Sequence, residues 1–312
     1  MNKESIRHLV RIFMPVYLCK SESMSLIYAG YSPIKRNYYA RLILNSNYDR
    51  SFLGWYWFSK LPAFFKSHNI DVIVSEISSN TFKWFQIRGG FILPVWTTTR
   101  INVERPMSEI CKSNVTDFPN VTRRIRKYNL TPEILSGKEN FNLFIEKYYL
   151  PYITRRHGQE AFIEDMSKIW KTLDSPFFLA IKENGIIIAM SMLVKSGDSL
   201  HFKRLGLLEG NDEYRLHGAI GALYYFGIIE AQKMKCRYFD LGGTRPFLTD
   251  GLTKYKLGLG AEFVQNLSPL KEYVWFGVNG NSAAASDFLS ANPFMFVGKD
   301  FTLTRYTADD LN

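Results

Sequence analysis

The segment from Cys236 to Gly260, CRYFDLGGTRPFLTDGLTKYKLGLG, constrains the fold of this chain more than any other stretch. Residues 238–241 have the aromatic and apolar content of a buried strand. Gly242 and Gly243 end that strand, because glycine adopts backbone angles that other residues avoid and lets a ligand approach the main chain. Residues 216–235, immediately upstream, have the pattern of a helix. A helix, a strand that ends in glycines and a basic Tyr-Lys element together predict a donor-binding and reaction centre.

The remainder of the second half predicts helices followed by an antiparallel meander. Residues 121–128, 139–156 and 163–173 have helical patterns, and residues 177–182, 186–194 and 199–205 have strand patterns. The triplets Glu183-Asn184-Gly185 and Ser196-Gly197-Asp198 supply hairpin turns, because their residues tolerate positive φ. A last strand is predicted at residues 273–278.

The first half alternates predicted strands and helices. Strands are expected at residues 25–29, 39–44, 71–76 and 91–96, and helices at 53–68 and 81–88. Pro62 is expected to kink the first of these helices. Trp55, Trp57, Phe64 and Phe65 are assigned to the core rather than to a ligand platform. Alternating elements indicate an α/β fold, and a polar junction at residues 106–119 predicts one domain at 1–110 and another at 111–312.

Composition restricts the partners and the cellular location. The 312 residues carry a formal net charge of +10, which favours a nucleotide cofactor, a phosphorylated substrate, tRNA or an anionic membrane surface. Three distant cysteines indicate reduced thiols and a cytoplasmic protein, and the scattered histidines predict no metal site. No window approaches the roughly 20 apolar residues of a membrane span, so at most a weak association with the membrane surface is expected.

Three segments resemble the FemAB-type and BioF2-like branch of the acetyltransferase (GNAT) superfamily: TRRIRKY, ALYYFGIIEAQKMKCRYFDLGG and DGLTKYKLGLG. The resemblance covers about residues 115–280. It implies a GNAT-like mixed sheet flanked by helices, in two tandem halves of which the N-terminal one is degenerate. It also implies transfer of an acyl or aminoacyl group to the amine of a small molecule or of a glycan or peptide precursor, with no DNA partner.

The donor stays open between acyl-CoA and aminoacyl-tRNA, and a non-catalytic binding protein on the same fold is a third alternative. The family's pyrophosphate loop, Arg/Gln-x-x-Gly-x-Gly/Ala, is matched in part by Arg215-Leu-His-Gly218-Ala-Ile-Gly221, with the second glycine one place late. Arg215, His217, Gly218 and Gly221 are therefore candidate cofactor contacts, together with Gly242 and Gly243, because a helix N-terminus attracts phosphate. The alternative is that Gly218 and Gly221 only permit close packing. Acyl-CoA is expected as a co-substrate, with no tightly bound cofactor.

The resemblance places Lys256, within the pair Tyr255-Lys256, near the reacting carbonyl, where a fixed cation stabilises an oxyanion. The alternative is a solvated lysine on a surface strand. Lys254, two residues away, would share the face of Lys256 in a strand and is either a phosphate contact or merely an exposed neighbour. Asp240 is a candidate base toward the amine, or an acid that orients Lys256, or a strand-end carboxylate bonded to the Gly242-Gly243 turn.

The cluster Arg123, Arg124, Arg126 and Lys127 is the strongest concentration of positive charge in the chain. It is a candidate contact for a tRNA backbone or for a diphosphate-linked acceptor. A solvated helix face is the alternative.

Overall fold

A computed structural model describes residues 13–45, 47–112, 116–158, 166–265, 267–268, 271–298 and 300–307. Its strands are β1 (Phe13–Lys20), β2 (Ser25–Ala29), β3 (Asp49–Trp57), β4 (Val72–Ile77), β5 (Phe91–Pro94), β6 (Thr97–Asn102), β7 (Thr131–Ser136), β8 (Phe177–Glu183), β9 (Ile186–Ser196), β10 (Ser199–Leu207), β11 (Tyr238–Thr244), β12 (Glu262–Phe263), β13 (Tyr273–Val278), β14 (Phe294–Val297) and β15 (Leu303–Tyr306).

The helices are α1 (Pro33–Leu44), α2 (Leu61–Ser67), α3 (Ser79–Gln86), α4 (Met107–Ile110), α5 (Phe118–Lys127), α6 (Lys138–Leu143), α7 (Leu150–His157), α8 (Met166–Thr172), α9 (Asp212–His217), α10 (Ala219–Lys233), α11 (Gly251–Gly258) and α12 (Ala283–Ala291). A π-helical segment, Phe144–Tyr149, joins α6 to α7. No helix in the described part of the chain is long and apolar enough to cross a membrane.

The chain divides into two units, and the division differs from the predicted boundary at residue 110. Residues 1–97, 244–253 and 264–312 form the first unit, and residues 98–243 and 254–263 form the second. The C-terminal residues lie outside the unit to which the sequence analysis assigned them, because β13 pairs with β4 and with β5. The strand predicted at residues 273–278 is confirmed, but it belongs to the first sheet.

The first unit contains a mixed six-stranded sheet in the order β3-β1-β2-β4-β13-β5. Only β2 and β4 run parallel among its registered pairs, with Leu26 opposite Val72, and α1 connects β2 to the strands that follow. Helices α1 and α12 cover the sheet with a core that includes Tyr39, Phe276 and Phe288. The mixed α/β fold expected of this half is therefore present.

The second unit contains a seven-stranded sheet in the order β12-β6-β11-β10-β9-β8-β7. Strands β8 to β10 form the predicted antiparallel meander, and β7, which the sequence analysis did not predict, pairs with β8. Strand β10 then pairs in parallel with β11 after the α9–α10 connection. Each unit thus combines antiparallel strands with one parallel pair, the mixed sheet that the prediction of two tandem halves requires. The prediction of a mixed α/β fold with sheets flanked by helices is confirmed.

Two predictions in the first unit are wrong. Residues 39–44 were expected to form a strand, but they belong to α1, which begins where the Ser32 side chain accepts from the amide of Lys35 and Pro33 occupies the first turn. Residues 53–57 were expected to start a helix, but they lie in β3, an edge strand. Trp55 and Trp57 are consequently exposed (51% and 55%) rather than in the core.

Candidate active site

The registered ladder between the parallel strands β10 and β11 ends partway along their length. Its register runs from Ser199 opposite Tyr238 to His201 opposite Asp240 and ends there, although β10 continues to Leu207 and β11 to Thr244. Beyond that point β10 is registered only with β9. Beyond this point the backbone of β11 bonds side chains instead, namely those of Asp240 and Lys256.

A histidine and a carboxylate meet where this ladder ends. The Nδ1 atom of His201 lies 3.1 Å from Oδ2 of Asp240, and both side chains are partly accessible to solvent. Burial alone would raise the pKa of Asp240, but hydrogen bonds from His201 and from the Gly242 amide outweigh it and hold that pKa below its ordinary value. The carboxylate is therefore ionised at neutral pH and accepts the Nδ1 proton, which leaves Nε2 of His201 as the basic nitrogen.

Sequence reasoning did not identify His201 as a site residue. Alternation along β10 buries Leu200 and Phe202 in the core under α10, so His201 points to the opposite face of the sheet. A strand–helix–strand connection places β11 beside β10 in parallel. Those two signals together bring His201 next to the predicted Asp240, but neither alone does so.

The Gly242-Gly243 segment is held by its neighbours on both sides. The Gly242 amide donates to Oδ1 of Asp240 at 2.7 Å, which is the turn-bonding role that the sequence analysis left open for this carboxylate. Gly242 has φ +75° and lies against the Phe202 carbonyl, which an added Cβ would approach to 3.1 Å. The glycine residues do not end the strand as expected, because β11 continues through them to Thr244.

Lys256 lies beneath this segment and is 3% exposed. Its Nζ donates to the carbonyl oxygens of Gly243 at 2.7 Å and of Gly242 at 3.2 Å. A solvated surface lysine is thus excluded, and so is the expected strand, because the residue belongs to α11. In a helix, residues two apart point in different directions, so Lys254 is exposed and does not share the face of Lys256. Its proposed phosphate contact stays a prediction.

Tyr255 packs inside the second unit. Its ring contacts Tyr224, with the two centroids 5.8 Å apart, and its hydroxyl faces Gly221, where an added Cβ would lie 3.5 Å from it. Burial raises the pKa of Tyr255 above its ordinary value, although the charge of Arg124 opposes this. The phenol therefore stays protonated at neutral pH and can donate but not remove a proton.

The glycines at the start of α10 allow α5 to pack closely. A Cβ at Gly218 would lie 2.9 Å from the Arg124 side chain, and a Cβ at Gly221 would lie 2.9 Å from Val121. Gly218 has φ +95° and ends α9 while capping α10. The structure therefore shows the close packing that was the alternative explanation for Gly218 and Gly221. A contact of these glycines with phosphate stays a prediction.

Arg215 and His217 have acidic partners within the second unit. Arg215 Nε bonds Asp212 at 3.2 Å on the exposed surface of α9. His217 stacks on Tyr128 at 4.1 Å, and its Nδ1 lies 3.0 Å from Oε2 of Glu183. The structure therefore gives both cationic candidates an internal partner, and their role toward a cofactor stays a prediction.

The predicted basic cluster forms an exposed face of α5. Arg123, Arg124 and Arg126 are exposed, with Arg123 bonded to Asn120 and Arg126 to the Thr122 carbonyl. None of the three forms an ion pair with a carboxylate in the described part of the chain. Their positive charge is therefore available to an anionic partner.

Comparisons with known proteins give structural likeness only. No family model matches the chain, and no curated protein matches its sequence. The fold is similar to the crystal structure of FemX (12% identity, TM-score 0.46, 83% of each chain). It is also similar to L-PGS from Bacillus licheniformis (8%, 0.41, 88% of this chain and 84% of that one). A third is a tandem GNAT protein from the clavulanic acid biosynthesis pathway (9%, 0.34, 86% and 80%). Both the FemX and the GNAT types are thus among the structures it is similar to.

Proposed function

We propose that this chain is an N-acyltransferase that moves an acyl group from an acyl-CoA thioester to the amine of a small-molecule, glycan or peptide precursor. The observation that carries the proposal is the end of the registered β10/β11 ladder beside the His201–Asp240 hydrogen bond. An extended amide-containing donor can bond to strand edges that lack a ladder partner. Its thioester would then lie next to a proton acceptor.

The chemistry requires removal of a proton from the acceptor. A free amine is protonated at neutral pH, so Nε2 of His201 accepts a proton before or during attack of the nitrogen on the thioester carbon. The carbon–nitrogen bond forms, the carbon–sulfur bond breaks, and the thiolate leaves and takes up a proton. Asp240 stabilises the imidazolium that results, because its carboxylate is ionised and bonded to Nδ1.

Lys256 supports this site through the backbone. By holding the Gly242 and Gly243 carbonyls, its ammonium fixes the part of β11 beyond the end of the registered ladder. A charge-assisted bond of this kind is stronger than a neutral one and keeps the segment in one conformation. Such preorganisation lets backbone dipoles stabilise charge that develops on the carbonyl oxygen of the donor.

An assay of thiol release tests the proposal. A panel of acyl-CoA thioesters is incubated with amine acceptors, and free CoA is measured with a thiol reagent. His201→Gln should lower kcat by about 10²–10⁴-fold, the usual contribution of a general base. The control is His68→Gln, which alters an exposed histidine stacked on Phe64 in the first unit. Full turnover by His201→Gln would exclude this role.

The exposed basic face of α5 favours a second candidate, transfer from aminoacyl-tRNA. Three exposed arginines that form no ion pair with any carboxylate among the described residues suit a phosphate backbone. In this case product formation is sensitive to RNase, and an Arg123/Arg124/Arg126 triple alanine variant loses tRNA binding with a reduced salt dependence. Retention of thioester turnover by the same variant would assign the donor to CoA instead.

A further inference from the structure

The first unit exposes a connected group of aromatic rings at one edge of its sheet. Phe13, Tyr31, Trp55 and Trp57 are each between 39% and 55% exposed. The ring of Phe13 contacts those of Trp55 and Trp57 at 5.8 and 5.4 Å, and Tyr31 contacts Trp55 at 5.9 Å. We call these four residues the aromatic patch.

The backbone holds the patch in place. Phe13 is opposite Trp57 in the β1/β3 ladder, and Pro15 is opposite Trp55, so these side chains share one face of the sheet. The Tyr31 hydroxyl donates to the Phe13 carbonyl and ties the loop after β2 to β1. Exposed apolar surface that is ordered in this way marks an interaction site more often than an isolated hydrophobic residue does.

The charge around the patch selects the kind of partner. Residues 23–70, which include Tyr31, Trp55 and Trp57, contain six Lys or Arg and one acidic residue, Asp49; Lys35, one of the six basic residues, pairs with Glu76 and Glu272. Arg50, Lys60 and Lys66 among them are exposed. A second copy of this chain would bring two positive surfaces together, which is unfavourable. An anionic partner is favoured.

The arrangement of the rings distinguishes a lipid surface from a nucleic acid. Single-stranded nucleic acids bind in a positively charged groove in which successive bases stack on aromatic faces, but here the rings contact one another, with centroids 5.8, 5.4 and 5.9 Å apart. Tryptophan and tyrosine favour the boundary between lipid headgroups and acyl chains, and nearby Lys and Arg residues bind anionic headgroups. From these observations we infer that the aromatic patch and its basic surroundings dock the protein on an anionic lipid surface.

Vesicle flotation tests the inference. The whole chain is mixed with vesicles of phosphatidylcholine alone or with phosphatidylglycerol added, at low and at high salt. The wild type should bind the anionic vesicles, and the double variant Trp55→Ser/Trp57→Ser should bind about tenfold more weakly. Lys60→Gln/Lys66→Gln should weaken binding by about fivefold for each charge removed, and only at low salt.

Matched controls separate docking from nonspecific adhesion. Ile87→Ser removes a single exposed apolar side chain, 78% exposed, from the same unit and should bind like the wild type. Circular dichroism confirms that the Trp double variant is folded, and Trp55→Phe/Trp57→Phe, which retains aromatic surface, should recover most of the binding. Equal binding by Ile87→Ser and the Trp-to-Ser variant would overturn the inference, as would no binding of the wild type to anionic vesicles.

Two other partners for the aromatic patch, a second copy of this chain and a nucleic acid, would give different experimental results. A concentration-dependent dimer that disappears in the Trp-to-Ser variant would assign the patch to a second copy and refute lipid docking. Loss of RNA binding in that variant, with vesicle binding unchanged, would refute it in favour of a nucleic acid. Flotation needs no acyl donor, so its outcome is independent of the proposed transferase activity.

Discussion

Replacing Lys256 by Met tests whether this lysine organises the glycine segment of β11. Methionine has similar length and fills the buried space, but it cannot donate a hydrogen bond. The carbonyl oxygens of Gly242 and Gly243 each lose a charged donor, at 3.2 and 2.7 Å. The change therefore isolates the ammonium group from the packing of its side chain.

The expected loss follows from the number of acceptors left without this donor. A hydrogen bond to a charged group contributes roughly 1.5–3 kcal/mol, so two of them predict a decrease of at most about 3–6 kcal/mol in the free energy of unfolding. Gly242 is half-buried and Gly243 is exposed, so water replaces part of this loss. Some of this is offset because the buried cation no longer has to be removed from water. The decrease should therefore fall in the lower part of that range.

Urea unfolding followed by circular dichroism measures the change. Lys254→Met is the matched control: it makes the same substitution two residues away on α11 at an exposed side chain. We expect the control to stay within about 0.5 kcal/mol of the wild type. Equal midpoints and equal m-values for the two variants would refute the argument, because the hydrogen bonds from Lys256 to the Gly242 and Gly243 carbonyls would then contribute nothing to stability.

Three more outcomes follow from the same site and its surroundings. The folded-state pKa of Asp240 lies below its ordinary value of 3.8. The ionised carboxylate therefore stabilises the folded protein above that pH, and this contribution is lost as the pH falls further. Asp240→Asn should abolish the corresponding decrease in the free energy of unfolding, measured by urea titrations between about pH 4 and pH 2. Gly242→Ala should lower the free energy of unfolding by about 1–2 kcal/mol, because φ is +75° and a Cβ approaches the Phe202 carbonyl. An unchanged free energy of unfolding would contradict a left-handed backbone at this residue. Gly206→Ala should lower the melting temperature markedly, since its Cβ would lie 2.3 Å from the carbonyl carbon of Tyr148 in the π-helical segment. An unchanged melting temperature would show that the backbone at Tyr148 moves away from the added Cβ at no cost in stability.

The meander was predictable because its turns are local. Asn184 and Gly185 both adopt positive φ, as does Gly197, and those residue types tolerate such angles best. The strands on either side have the alternation and length that the sequence shows directly. A pattern of this kind needs no information about distant residues.

Other parts depended on contacts that no short window contains. Tyr39 has a residue type common in strands, yet its position downstream of the Ser32 cap decides for a helix. The lysine pair at 254 and 256 alternates like a strand, but Asp250 accepts from the amides of Leu252 and Thr253 and starts α11. Capping, rather than the preference of the residues within the segment, selected the structure in both cases.

The sequence predicted the part of the candidate site whose residues are close together along the chain. Asp240, Gly242, Gly243 and Lys256 are close in sequence, and the structure brings them together. His201 joins them only through the parallel pairing of two strands separated by α9 and α10. The sequence near His201 contains no pattern that predicts its contact with Asp240.

The place of β13 between β4 and β5 has a consequence for biosynthesis. A ribosome releases β4 and β5 long before the strand that fits between them, because almost 200 residues separate Ile77 from Tyr273. At 5–20 residues per second this interval lasts roughly 10–40 s. During it, the nascent chain carries two apolar strands whose facing edges have no partner, so a fragment ending near residue 110 is expected to aggregate.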